Sequence, residues 1–429
     1  MKTFQTIVLV VFGLLGVIGL VVFATSGGGG GGAGSTGPVV IWGLLPQEAM
    51  DTTLAEATTV NKAFTNATYI EKGAENFGNE LAQAIAEGTG PDLIIITQEQ
   101  LLSERAKLSI IPFESIPERT YLDTYIRGAE LFLSDTGTYA LPLTVDPLVL
   151  YYNRQELTGA GVSSAPSSWE GVNALAQTLS ETTPTGAVTK SVIPFGDYVN
   201  VRNARAILST IFFQAGIPIT EMEDGRMASV LAGKGETGLS IASAALSFYT
   251  QFADPAKTVY SWNRAMGESR ALFLAGDLLF YPGFASERTY LEAANPNLEF
   301  DMAPLPQPSI AKDRTTYGLI YAAAIPRASY NPDGAATIAF ALTDPAVASY
   351  LAEMALMAPA HKAYLTPRAD DKYSAIFYEE ALRARGWLSP STSVTDGIFA
   401  GMIQNVTSGR RSVPDALQSA SESLDAALP

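Results

Sequence analysis

The sequence predicts an α/β fold in two lobes or domains, and three observations carry that prediction. Short β-branched apolar runs alternate with amphipathic segments along most of the chain. The apolar runs are unbroken, as strands buried on both faces of a parallel sheet require. At 429 residues the chain is too long for one small core.

The elements follow in order. "VVIWGLL", residues 39–45, lies between Pro38 and Pro46 and reads as a buried strand. "NFGNELAQAIAEG" places Phe77, Leu81 and Ile85 at helical spacing, and Gly88 stops it. "PDLIIIT" is a second buried strand, and "LPLTVDPLVLYY" a third. "APSSWEGVNALAQTLS" offers a serine cap, with Glu170 close behind, to a helix. "SRALFLAGDLLFYPG" reads as helix, tight turn and strand, and "EFDMAPLPQP" as a strand entering a proline-rich turn. From Asn331 onward the chain is mainly helical, and no solenoid period is visible.

Ahead of this body, residues 7–23 are uncharged and apolar and would reach roughly 26 Å as a helix, close to the hydrocarbon thickness of a bilayer. Lys2 precedes the run, so the body is expected outside the membrane. A cleaved signal peptide is the rival, with "ATS" at residues 24–26 as its site, but the run exceeds an ordinary signal core. Residues 1–25 are therefore read as an anchor or signal segment. The Gly/Ser-rich residues 26–37 are a flexible spacer.

Composition excludes several classes of function. A net charge of −16 leaves no basic surplus for nucleic acid. The absence of cysteine removes disulfides, thiolate metal sites and cysteine nucleophiles. The single histidine, His361 in "APAHKAY", has no metal-type partner nearby and reads as a packing or surface residue. No metal, cofactor or catalytic constellation stands out. The 43 acidic residues always contain a chance carboxylate pair, and no motif singles one out.

Several residues have the chemistry of a sugar site, in which rings take the apolar face and carboxylates or amides take the hydroxyls. Trp42 ends the first strand, at the edge where open α/β sheets hold ligands. Tyr260, Trp262, Asn263 and Arg264 stand together in "YSWNR", and Tyr281 and Phe284 flank a turn in "YPGFASE". Asp146 sits in "LTVDPLVL", where it either shapes a turn before Pro147 or faces a ligand. Asn203 opens "ARAILSTIFFQAG". Arg264, Arg202 and Arg205 keep an anionic ligand open.

The ordered set "VVIWG", "LAQAIAEGTGPDLIII", "YALPLTVDPLVLYYNRQEL", "APSSWEGVNALAQTL", "LFLAGDLLFYPGFASE" with "NPNLEFDMAPLP", and "VTSGRRSVPDALQSASESLDAAL" resembles the bacterial extracellular solute-binding proteins of the maltose-binding type. These are receptor subunits of ABC importers. The resemblance implies a clamshell of two lobes, each a mostly parallel sheet flanked by helices, closing by a hinge around solute. It implies crossovers at residues 145–147, at residues 317–319 and close to Pro345. Lobe 1 is then residues 38–145 with about 318–345, and lobe 2 residues 146–317 with about 346–429. It implies ligand contacts at Asp146, in the turn at Gly283 and Phe284, and at Asp396, and together with the residues singled out above the expected set is Trp42, Asp146, Asn203, Trp262, Arg264, Tyr281, Phe284, Tyr317 and Asp396. Either Gly283 or Phe284 takes the aromatic position of the family's turn, and Asp396 stands where the family often has an aromatic, which argues against an ordinary maltodextrin site. The implied protein is a monomeric, membrane-tethered receptor that delivers a small molecule, most simply a carbohydrate, to permease subunits. A binding scaffold or adhesin without transport, and a carboxylate-dependent glycosidase, are the alternatives.

Overall fold

The computed structural model describes residues 36–311, 313–368 and 371–429. The expected membrane anchor and most of the expected spacer lie outside these residues. Among the described residues no single helix is long and apolar enough to cross a membrane. The body begins slightly before its expected start. Thr36 Oγ1 donates to the Ala63 carbonyl at 2.9 Å, and Asn331 Nδ2 donates to the Thr36 carbonyl at 2.7 Å.

The first half alternates as expected: β1 (Val39–Gly43), α1 (Gln47–Val60), β2 (Ala67–Glu71), α2 (Phe77–Glu87), β3 (Leu93–Thr97) and α3 (Gln98–Glu104). Gly88 ends α2 at φ 72°, a left-handed conformation that a side chain would strain. Then comes the long strand β4 (Leu141–Asn153), followed by α4 (Trp169–Leu179), α5 (Ala204–Gln214), α6 (Gly235–Thr250) and α7 (Ser269–Ala275). Ser168 caps α4 as the sequence predicts, accepting from the Gly171 amide at 3.3 Å. The chain continues through β5 (Phe280–Phe284), β6 (Phe300–Ala303), β7 (Thr316–Ala324), α8 (Pro332–Leu342), α9 (Pro345–Met354), β8 (Ala358–Pro359), α10 (Ser374–Arg383), β9 (Ala384–Arg385), α11 (Thr392–Thr407) and α12 (Val413–Ala427).

The main sheet has the order β5-β4-β7-β3-β1-β2, with β6 and β8 also on β4 and β9 on β7. Its strands are less parallel than expected. β1 runs parallel to β2 and β3, and β9 to β7, whereas β7 is antiparallel to both β3 and β4, and β4 to β5, β6 and β8. The reason is topological. β4 and β7 traverse the molecule in opposite directions, so strands joining them cannot all share one sense.

β4 and β7 carry the first two expected crossover positions and pair with each other there. Asp146 lies opposite Leu319 and Pro147 opposite Gly318. Val145 has Ile320 on one side and Ala358 on the other. Three passages of chain thus meet at one level of the sheet. Val347, Leu351, Ala355 and Met357 pack in the same core as Val39, Ile41, Met50 and Leu54. Helix α9 therefore packs with the first half, and the chain beyond it pairs with β4 through β8. Pro345 is the first residue of α9, where a missing amide is no loss.

A larger core covers the other face of β3 with Phe77, Leu81 and Ile96 and continues into the second half through Leu148, Ile207, Phe212, Tyr249, Tyr281, Trp387 and Phe399. Between the two halves, at the level of the crossovers, lies a buried layer of polar side chains.

Candidate functional site

That polar layer is assembled from segment ends. At the C-terminal end of β3, Thr97 caps α3, with the Glu99 amide donating to Thr97 Oγ1 at 3.3 Å and Gln100 returning to the Thr97 amide at 3.1 Å. The cap fixes Gln98 and Glu99 against β7. Gln98 bridges the crossover backbone, donating to the Gly318 carbonyl at 2.9 Å and accepting from the Ile320 amide at 2.8 Å. Glu99 accepts from the Tyr317 hydroxyl at 2.5 Å and from Arg205 Nη2 at 2.6 Å.

Arg205 is in the first turn of α5, in the second half of the molecule. Its Nη1 lies 3.3 Å from Asp396 Oδ1, and Asp396 also accepts from the Tyr198 hydroxyl. Glu99 and Arg205 are mostly buried, whereas the Asp396 side chain is 42% exposed and marks the open side of the cluster. Burial works against the Arg205 charge, but Glu99, Tyr317 and Asp396 outweigh it and hold the guanidinium above its ordinary value. Burial, reinforced by Glu99, pushes the Tyr317 hydroxyl well up, so it acts as a neutral donor.

A second group adjoins the crossovers. Asp146 is 2% exposed and accepts from the Ser286 amide at 3.1 Å and from its hydroxyl at 2.5 Å. Burial raises its pKa to about 7, with Glu287 adding to the rise and the Ser286 bonds opposing it. Glu287 gathers Tyr281 Oη at 2.5 Å, Asn203 Nδ2 at 2.6 Å, the Phe284 amide at 3.0 Å and Arg270 at 3.4 Å. Asn203 adopts φ 60° at the N-cap of α5, a left-handed conformation that asparagine tolerates better than most residues.

The structure thus brings together Asp146, Asn203, Tyr281, Phe284, Tyr317 and Asp396 from the nine expected contacts. Phe284 is part-buried with its ring centroid 6.4 Å from that of Tyr317, joining the two groups. Tyr281 is fully buried, stacked between Tyr151 and Phe273, so its ring faces are closed to a solute. Three expected contacts lie elsewhere. Trp42 packs against the larger core with Lys72 Nζ 3.9 Å from its ring centroid. Trp262 is 0% exposed and donates to Asn200 at 3.0 Å, so it is a packing residue rather than a binding surface. Arg264 is half exposed beside Asp197 at 3.5 Å.

Sequence reasoning passed over Glu99, Gln98, Tyr198, Ser286 and Glu287. One signal was available for the first two. "IIITQEQ" puts carboxylate and amide directly at the C-terminal end of a buried parallel strand, the usual ligand edge of such sheets. The only signal for Tyr198 and Glu287 is spatial. Among the described residues no group of acidic or histidine side chains could hold a metal ion, and His361 lies with Tyr125 and Tyr364.

The sequence over residues 47–348 matches the family model of the bacterial extracellular solute-binding proteins. The chain belongs to that family. Solved structures of similar shape extend the match. A cyclo/maltodextrin-binding protein complexed with maltotetraose has a TM-score of 0.71 at 14% identity, covering 92% of this chain and 98% of its own. The cyclic α-maltosyl-1,6-maltose binding protein of Arthrobacter globiformis gives 0.72 at 18% identity, covering 91% and 99%. The GacH receptor of Streptomyces glaucescens, solved unliganded and with acarbose, gives 0.70 at 17% identity, covering 92% and 99%. No curated protein sequence matches the chain significantly. At these identities the likeness is one of fold, and it establishes that this solute-binding protein has the two-lobed α/β architecture.

Proposed function

We propose that this solute-binding protein is an extracytoplasmic receptor for a sugar or a similar polar solute, which it delivers to the permease subunits of an ABC importer. Solute enters between two lobes that close about the crossover strands. One observation carries the reading: Glu99 of the first half and Arg205 of the second meet at 2.6 Å beside Tyr317, which belongs to the crossover strand β7. Polar groups from both lobes therefore converge at the hinge, where solute binding and lobe closure are coupled. Family membership and the sugars held by similar structures point the same way.

Lobe 1 comprises residues 38–145 with about 318–357, and lobe 2 residues 146–317 with about 360–429. Asp146, Asn203, Phe284, Tyr317 and Asp396 line the site together with Glu99 and Arg205. The chain binds without turnover and acts as a monomer. The apolar residues 7–23 tether it to the membrane.

The test is a thermal-shift screen of the purified full-length chain in detergent against sugars, polyols, amino acids and phosphates. A ligand that binds only the folded state raises the melting temperature with concentration. The reading requires such a shift for at least one sugar or polyol, and recovery of that compound unchanged by mass spectrometry after prolonged incubation.

A further inference from the structure

We infer that Glu99 and Arg205 act as one unit that sets the charge selectivity of the cleft, admitting neutral polyhydroxy solutes and rejecting anionic ones. The inference rests on the receptor reading above and goes beyond it by naming the residues that discriminate.

The charges around the pair can be followed group by group. Arg205 meets Glu99 at 2.6 Å and Asp396 at 3.3 Å, so one guanidinium serves two carboxylates. Tyr317 and Tyr198 donate neutral hydroxyls to those carboxylates. The Asp197–Arg264 and Glu287–Arg270 contacts are neutral pairs. Asp146 accepts from Ser286, and its carboxylate makes no ion pair with Arg205 among those described. Counted with Asp396, the unit therefore carries one net negative charge, in a site where Glu99 and Arg205 are 9% and 16% exposed.

A solute entering between the lobes meets both members of the pair. Arg205 only donates, and an ionised carboxylate only accepts. A hydroxyl does both, so a vicinal diol can accept from Arg205 and donate to Glu99 without leaving either short of a partner. A sugar carboxylate would satisfy Arg205 but stand against Glu99 and Asp396 in a partly dry site, where like charges are strongly unfavourable. Arg205 alone is the usual signature of an anion site. Its two carboxylate partners turn it to the opposite use.

The experiment compares matched triplets, the neutral sugar, its uronate and its 2-amino derivative, in the glucose and galactose series, by calorimetry on the full-length chain. Wild type is expected to bind the neutral sugar at least ~10-fold more tightly than its uronate. Glu99→Gln brings the unit to zero charge and is expected to narrow that gap by roughly tenfold. Arg205→Gln is expected to shift preference toward the amino sugar. Asp396→Asn, at the most exposed of the three positions, should move selectivity in the same direction as Glu99→Gln and covers the case in which a buried variant fails to fold. A purely structural role would weaken all three members of a triplet alike. Equal loss across a triplet, or a uronate that binds wild type as well as its neutral partner, overturns the inference and leaves the receptor reading intact. If no member of either triplet binds wild type while another sugar or polyol does in the thermal screen, the inference fails with the receptor reading standing. If the screen finds no sugar or polyol at all, both fail.

Discussion

Asp146 and Ser286, 140 positions apart in sequence, are joined by two hydrogen bonds, from the Ser286 amide at 3.1 Å and its hydroxyl at 2.5 Å. The pair ties the crossover strand β4 to the turn after β5. An aspartate beside a proline in a buried strand is thus neither a free turn residue nor a bare acceptor. It positions the segment that carries Phe284 and Glu287.

The first prediction concerns affinity. Asp146→Asn can keep both contacts, accepting from the Ser286 amide and donating to its hydroxyl, so solute affinity should stay within about threefold of wild type. Asp146→Ala leaves the turn untethered and should weaken affinity by about 10-fold or more, the equivalent of a charged-group hydrogen bond. Calorimetry with any solute found in the thermal screen checks both. Equal affinities for the two variants would remove Asp146 from the site.

pH dependence supplies the second. Burial raises Asp146 from 3.8 to about 7 and Glu380, against its neighbour Arg383, from 4.5 to about 7. The folded state then binds more protons than the unfolded state between pH 4 and 7, so both groups make stability fall as pH rises through that window. Glu380 has one buried oxygen without a hydrogen-bond donor. Asp146→Asn and Glu380→Gln should each flatten the fall, gaining stability relative to wild type at pH 8 by about 1–3 kcal/mol and little at pH 4. Urea denaturation across pH 4 to 8 measures the difference, and a gain that is the same at both ends would contradict it.

Trp262 provides a control outside the site. It is fully buried and donates to Asn200 at 3.0 Å. Trp262→Phe loses that bond and leaves a void, so unfolding free energy should drop by about 1–4 kcal/mol. Solute affinity should be unchanged. A large affinity loss in a variant that is still folded would return Trp262 to the list of contacts.

Gly318 tests the hinge. A Cβ at this position would lie 2.8 Å from Ala384 Cβ and 3.3 Å from Val145 Cγ1, wedged among strands β7, β9 and β4. Gly318→Ala should displace β9 and cost about 1–3 kcal/mol by overpacking. Small-angle scattering should also show a changed difference in radius between solute-free and solute-bound protein. An unchanged stability and an unchanged scattering difference would mean that the crossover has more room than the geometry gives it.

The α/β class, the order of the main elements, the stop at Gly88 and the cap at Ser168 were legible in the residues alone. Each is written in local chemistry: period, β-branching, a left-handed glycine, a serine before a helix. Tertiary structure decided what depends on partners distant in the chain. Trp262 and Tyr281 look like binding aromatics in "YSWNR" and "YPGFASE", yet packing closes both inside the larger core. Helix α9 follows Pro345 as the sequence suggests, but only its packing with Met50 and Leu54 reveals which half it serves. Strand direction was unreadable because an apolar run has the same composition in either sense. Arg205 stood out only as one of three arginines and Glu99 only as a carboxylate at a strand end, so their pairing was invisible. They become a site only when β3 and α5 are brought across the hinge and 106 positions of sequence close to 2.6 Å.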